Sequence, residues 1–202
     1  MKKRVSLLLA AALTAGIIPA VSASYSDTDK YADYYTAAIR LQDLGILNGY
    51  SDGSFRPANP ITRAEFTKIV ICMMDKEKEA AASASVSGFY DVPSGSWSSP
   101  YITYAVSKDI LSGYSDGSFG PNKTISFAEA VTILMRTIGY TDSDVGYYWP
   151  NNYMSAAAAL GITDGMNYDY QTPLTRSAAA MLVDRAMFTK PAAGNANADT
   201  YL

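Results

Sequence analysis

Histidine is absent from the 202 residues, and cysteine occurs once, as Cys72. Without histidine there is no Ser-His-Asp or Cys-His nucleophile and no imidazole-ligated zinc. A lone cysteine closes no internal disulfide, so the fold has to hold without one. Cys72 lies among Ile69, Val70, Ile71 and Met73, which predicts a small core residue rather than a reactive thiol. Charge is also scarce: 17% of residues carry it, the net is −3, and both signs are dispersed. No basic stripe is present for nucleic acid. After residue 23 no apolar run is long enough to span a bilayer.

The chain opens on a basic start, Met1-Lys2-Lys3-Arg4, followed by an apolar run from Val5 to Val21 and the small residues Ser22 and Ala23. This predicts a signal peptide over 1–23, with a retained anchor helix as the alternative. The mature chain would then be an exported protein of about 180 residues, enough for one core.

What is present in abundance is repetition. Gly49-Tyr50-Ser51-Asp52-Gly53-Ser54-Phe55 returns 64 positions later as Gly113-Tyr114-Ser115-Asp116-Gly117-Ser118-Phe119. Each copy is followed by a proline (Pro57, Pro121) and a helix-start signal, Ile61-Thr62-Arg63-Ala64-Glu65 and Ile125-Ser126-Phe127-Ala128-Glu129. A worn third copy survives as Gly165-Met166 and Leu174-Thr175-Arg176-Ser177. A period of about 50 residues makes the repeat the structural unit.

Within repeat 1, Tyr34, Ala38, Leu41 and Leu44 recur at helical spacing and predict a first helix from about Asp33 to Leu44, stopped by Gly45. Asp52-Gly53 reverses the chain, and Pro57 and Pro60 keep the next stretch extended. A second helix starts at Thr62, whose capping box is closed by Glu65, with Ile61 and Phe66 as a hydrophobic staple. Its buried stripe is Phe66, Ile69, Val70 and Met73; the counterparts are Ala130, Ile133, Leu134 and Thr137, then Ala179, Leu182, Val183 and Ala186. Two helices and a turn cannot bury a core alone. The prediction is therefore a mainly α fold of three helix-turn-helix repeats in pseudo-threefold arrangement, a central three-helix bundle with outer helices and loops. Its boundaries are repeat 1 at 24–75, a linker or helix extension at 76–87, repeat 2 at 88–140, repeat 3 at 141–190 and a flexible tail at 191–202.

These motifs closely resemble the S-layer homology (SLH) repeat, and the resemblance covers nearly all of Ser24 to Lys190. It implies a non-catalytic module fixing exported proteins to the bacterial cell wall, at the cell surface or in the S-layer. The implied partner is a secondary cell-wall polymer carrying pyruvylated N-acetylmannosamine, bound in grooves between repeats, or peptidoglycan in some lineages. Contacts with itself or with S-layer proteins are a further expectation, and no cofactor is implied.

Capping explains Thr62 and Glu65 but not Arg63, a cation at the positive end of its helix. Arg176 repeats it, whereas repeat 2 has Phe127, which predicts that the fold tolerates loss of the arginine. Arg63 and Arg176 are thus candidate ligand contacts, because a guanidinium fork and free helix N–H groups both suit a carboxylate, with a solvated or intramolecularly paired arginine as the alternative. Trp97 and Trp149 each precede the repeat glycine by 16 residues, a place held by Asp33 in repeat 1; they suit either stacking on a sugar or packing at a helix start. Asp27 and Asp91 match the family's opening aspartate, and Asp144 is assigned as the third; each suits sugar hydroxyls or local capping.

Departures from the pattern, Phe127 for arginine and Ala178 for glutamate, predict one or two competent grooves rather than three. A glycoside hydrolase using Asp27, Asp91, Asp52 or Glu65 is the catalytic alternative, but these carboxylates repeat with the fold and no pair is singled out. A self-assembling structural protein is the other. Ser51-Asp52-Gly53 offers one carboxylate per loop, too few oxygens for calcium, so no metal is expected.

Overall fold

The computed structural model describes residues 25–83 and 87–192. The expected signal peptide and the tail from residue 193 onward lie outside the described residues. Eight helices follow one another among those described: α1 (Tyr35–Asp43), α2 (Arg63–Met73), α3 (Glu77–Ala81), α4 (Ser99–Ser107), α5 (Phe127–Thr137), α6 (Asp142–Val145), α7 (Asn151–Ala159) and α8 (Arg176–Met187).

In α2, α5 and α8 the N-cap hydroxyl accepts a backbone N–H of the first turn. Thr62 accepts the Glu65 N–H while a Glu65 carboxylate oxygen accepts the Thr62 N–H at 2.8 Å. Ser126 and Glu129 form the same box on α5. Thr175 caps α8 through the Ala178 N–H alone, at 3.3 Å. Such a cap contributes about 1 kcal/mol.

The residue before each cap closes the fold. Ile61 N–H donates to the Leu174 carbonyl (2.9 Å), Leu174 N–H to Ile125 (2.9 Å), and Ile125 N–H to Ile61 (3.1 Å). These three backbones form a closed ring, and their side chains are essentially inaccessible. Around it lie the antiparallel bridges Pro60–Thr175, Thr62–Thr124 and Ser126–Pro173. The unpaired N–H groups at the helix starts are then used by the neighbouring repeat. Arg63 and Ala64 donate to Lys123 and Pro121, Phe127 and Ala128 to Thr172 and Tyr170, and Arg176 and Ser177 to Asn59 and Pro57. This corrects the expectation that these N–H groups are free for an anion.

The capped helices α2, α5 and α8 pack on one another at the centre. Each outer helix sits on the capped helix of the repeat before it: α4 on α2, α7 on α5 and, closing the circle, α1 on α8. All twelve residues of the three expected stripes are buried. The pseudo-threefold helical architecture is thus as expected, and the third unit takes its place in the ring despite its worn sequence.

One local reading needs correction, and two stretches gain detail. Leu44 is 53% exposed, because the helix ends at Asp43 and the apolar face passes to Ile46 and Leu47. The stretch after repeat 1 is partly a helix of its own: Asp75 takes a positive φ, and α3 packs on α4 with Ala80 fully buried. The tail begins docked, since Ala192 N–H donates to the Ile138 carbonyl at 3.1 Å. Cys72 packs against the core, and burial, helped by Glu77, pushes its thiol up to about 11. It stays protonated at neutral pH.

Candidate functional site

The closed ring carries Arg63 from the first turn of α2 into the turn of repeat 2. There it is only 6% exposed. Its Nη2–H donates to the Ser112 carbonyl at 2.6 Å, and Nη1 lies 3.5 Å from Glu129 Oε1. The guanidinium stands over the rings of Phe119 (4.8 Å) and Tyr114 (5.1 Å). Arg176 reaches from repeat 3 into repeat 1 in the same way. Its Nε–H donates to the Phe55 carbonyl (2.7 Å) and its Nη2–H to the Asn48 carbonyl (2.9 Å), over Tyr50 and Phe55.

Phe127 occupies this place in repeat 2 and meets Tyr168 edge-on, centroids 5.2 Å apart. The expectation that the fold does not need the arginine is therefore corrected. Each first-turn residue is a plug between two repeats, and Phe127 is its uncharged form.

Glu129 has two jobs, one per oxygen. Oε2 accepts the Ser126 N–H in the capping box, while Oε1 accepts the Tyr114 hydroxyl at 2.7 Å and faces Arg63. Burial, with that bond to a carboxylate, pushes Tyr114 up to about 12. Gly113 beside it has a packing reason: a Cβ there would collide with the Phe89 ring and the Ser118 carbonyl.

Between these residues lies a groove of about 260 Å³, lined by Arg63, Ser112, Gly113, Tyr114, Glu129, Arg136 and Trp149. Both guanidinium groups have a carboxylate nearby, Arg63 that of Glu129 and Arg136 that of Asp142, and only the first of these carboxylates lines the groove. Trp149 is 48% exposed, and its indole N–H donates to Thr132 Oγ1 at 3.0 Å. That bond fixes the ring and uses its one N–H donor. Arg136 is held by the Tyr153 hydroxyl (3.0 Å from Nε) and by Asp142 (3.6 Å from Nη2).

Of the seven residues singled out in the sequence, the structure brings Arg63 and Trp149 into one groove. Arg176 and Trp97 are their counterparts in repeat register, with Asn48, Tyr50 and Glu65; Trp97 is 56% exposed and lies 6.4 Å from Tyr101. Asp27 and Asp91 clamp the turns of their own repeats. Asp27 accepts the N–H groups of Phe55 and Arg56, and Asp91 those of Phe119 and Gly120, at 2.6–2.8 Å. Asp144 does neither. It caps α6 through Thr141 (2.7 Å), which holds its carboxyl below the usual range, so its equivalence to Asp27 and Asp91 is withdrawn. Sequence reading missed Tyr114 and Arg136. The spacing of Glu129, Thr132, Ile133 and Arg136 on one helical face held the signal for the latter.

A buried arginine crossing into a Gly-Tyr-Ser-Asp-Gly-Ser-Phe turn, twice over, is a specific arrangement. Residues 24–67 and 88–131 each match the S-layer homology domain. The third unit is not among the matched residues, although it completes the ring that the two matched repeats form with it. The chain is also similar to a cell surface protein of Thermoanaerobacter kivui, 32% identical over 169 residues, 83% of this chain and 22% of that protein. A surface layer protein of Brevibacillus choshinensis is 34% identical over 172 residues, 83% of this chain and 15% of the relative. A cellulosome-anchoring protein of Acetivibrio thermocellus is 27% identical over 164 residues, 74% of this chain and 37% of its own length. The chain spans less than a quarter of the length of the first two of these relatives.

Proposed function

We propose that this chain is a non-catalytic anchoring module at the bacterial cell surface, holding an acidic secondary cell-wall polysaccharide in the groove between its first two repeats. The two S-layer homology matches and the surface-layer and anchoring relatives support the wall-anchoring part. The acidic sugar is carried by one observation: Arg63 and Arg136 converge with a single carboxylate and a pinned, half-exposed indole on a sugar-sized groove. An indole face suits the apolar face of a pyranose, and a guanidinium suits a pyruvate carboxylate.

The catalytic alternative weakens, because its carboxylates are engaged. Asp27 and Asp91 hold backbone, Glu65 holds the cap of α2, and Asp52 is held below the usual range by Ser54 and Arg56. Among the described residues no helix is long and apolar enough to cross a membrane. The junction of repeats 2 and 3 has Phe127, Ala178 and Asp33 where the others have arginine, glutamate and tryptophan, so two grooves are competent at most.

Sedimentation with purified wall fractions tests this. The protein is expected to pellet with walls carrying pyruvylated polymer and to stay in solution with depyruvylated walls. Equal pelleting with both would replace the acidic polymer with peptidoglycan. Pelleting without any wall would favour self-assembly.

A further inference from the structure

The groove does not end at Arg136. A second depression of about 470 Å³ adjoins it, lined by Lys108, Asp109, Ser112, Arg136, Asp142 and Tyr153 among others. Leu111, Ser112 and Arg136 line both, so a polymer leaving the groove past Arg136 would enter this space directly. Its walls mix two cations, two carboxylates and two phenols, those of Tyr140 and Tyr153. Such a lining suits the hydroxyls of a sugar better than an apolar ligand, and its volume lies in the range of ordinary ligand pockets, about 300–1,000 Å³.

The backbone gives an independent sign. Ile46, Ile110 and Ile162 each donate their N–H to the carbonyl five residues back, which sets the ends of α1, α4 and α7 in register. The residue before each has a positive φ: Gly45 at 71°, Asp109 at 56° and Gly161 at 75°. Repeats 1 and 3 thus end their outer helix on Leu44-Gly45 and Leu160-Gly161, and repeat 2 ends it on Lys108-Asp109. Glycine takes this conformation without strain, whereas aspartate does so at a cost. Arg56 and Asp75 do the same where repeat 2 has Gly120 and Gly139, so what sets Asp109 apart is that it lines the depression beside Lys108. Packing does not require Lys108 either, because both siblings have leucine there.

We infer that this depression is a second subsite, which takes the next sugar residue of the polymer held in the groove. The inference rests on the groove reading given above. The subsite would make repeat 2 select a chain of at least two sugars over a single terminal unit, through Lys108, Asp109 and the shared Arg136.

The probes are one-, two- and three-residue oligosaccharides, size-fractionated from a pyruvylated secondary cell-wall polymer and titrated calorimetrically. The protein is expected to bind the two-residue fragment about tenfold more tightly than the single residue, as for one or two added charge-assisted bonds. The variant K108L/D109G, which installs the residues its siblings use, should bind the single residue like the wild type and lose that gain. Asp109→Gly alone, which relieves the backbone, should lose part of it with an unchanged or raised melting temperature. Equal wild-type affinity for one and two residues, or a gain that survives K108L/D109G, would overturn the subsite while leaving the groove intact. If no fragment binds the wild type, the groove reading itself falls.

Discussion

A chain that stops after Gly139 is expected to lose its cooperative unfolding transition altogether. The cut removes α6, α7 and α8, leaving α5 without the outer helix it carries and α1 without the helix it packs on. Two of the three backbone bonds of the central ring lose a partner, because Leu174 is both donor to Ile125 and acceptor from Ile61. The paired bonds from Arg40 to Asp184, at 2.9 and 3.0 Å, go as well. Exposing a fully buried Leu, Val or Phe costs about 1.5–3 kcal/mol. Leu41, Phe66, Val70, Val131 and Leu134 are all fully buried in the intact fold, with α8 part of the centre they share. A handful of such losses exceeds the roughly 5–15 kcal/mol that holds a typical domain together. Circular dichroism should therefore show a broad, non-cooperative melt. A sharp transition near that of the whole chain would mean that the repeats stack as an open solenoid, each stable with one neighbour.

Arg63→Ala is expected to destabilise the protein by about 2–4 kcal/mol, since it leaves a part-buried carboxylate and a carbonyl without their partner. Glu129 Oε1 would keep only the Tyr114 hydroxyl, and the Ser112 carbonyl would lose a 2.6 Å bond. A void would also open between the rings of Tyr114 and Phe119, which now lie about 5 Å from the guanidinium. Arg63→Phe should cost about 1 kcal/mol less than alanine, because an aromatic plug restores packing. Phe127 against Tyr168 is the natural precedent for it. Urea unfolding of both variants decides the matter. An alanine variant within about 0.5 kcal/mol of wild type, as for ordinary surface changes, would show that Arg63 is no plug. Loss of wall binding by Arg63→Ala carries meaning only beside such a melt, whereas a stable Arg63→Phe variant separates binding from folding.

The local parts of this architecture were legible in the sequence. Capping boxes at Thr62 and Ser126 and the stripes of the three central helices depend on neighbours three or four residues away, and all are found as read. The plugs were not legible. Arg63 stands at a helix start, where an isolated helix exposes its side chain, and only closure of the ring brings Ser112 and Glu129 to it. Phe127 at that place read as evidence that the position is free to vary, when it fills the same slot by packing instead of charge. For Asp144 the sequence left sugar hydroxyls and local capping both open, and the capping box on α6 claims it; only its alignment with Asp27 and Asp91, which hold the turns of their repeats, does not stand. The groove was half legible, through Arg63 and Trp149, because its other walls come from residues already given structural roles.

The central claim is that wall polymer binds in the groove beside Trp149. The chain has two tryptophans, so Trp97→Phe leaves Trp149 as its only indole. Titrating that variant with pyruvylated polymer should change Trp149 emission saturably, at the concentrations where the protein sediments with the polymer, and depyruvylated polymer should leave it unaltered. Emission that stays constant while the polymer saturates the protein would place the binding site elsewhere and contradict the account.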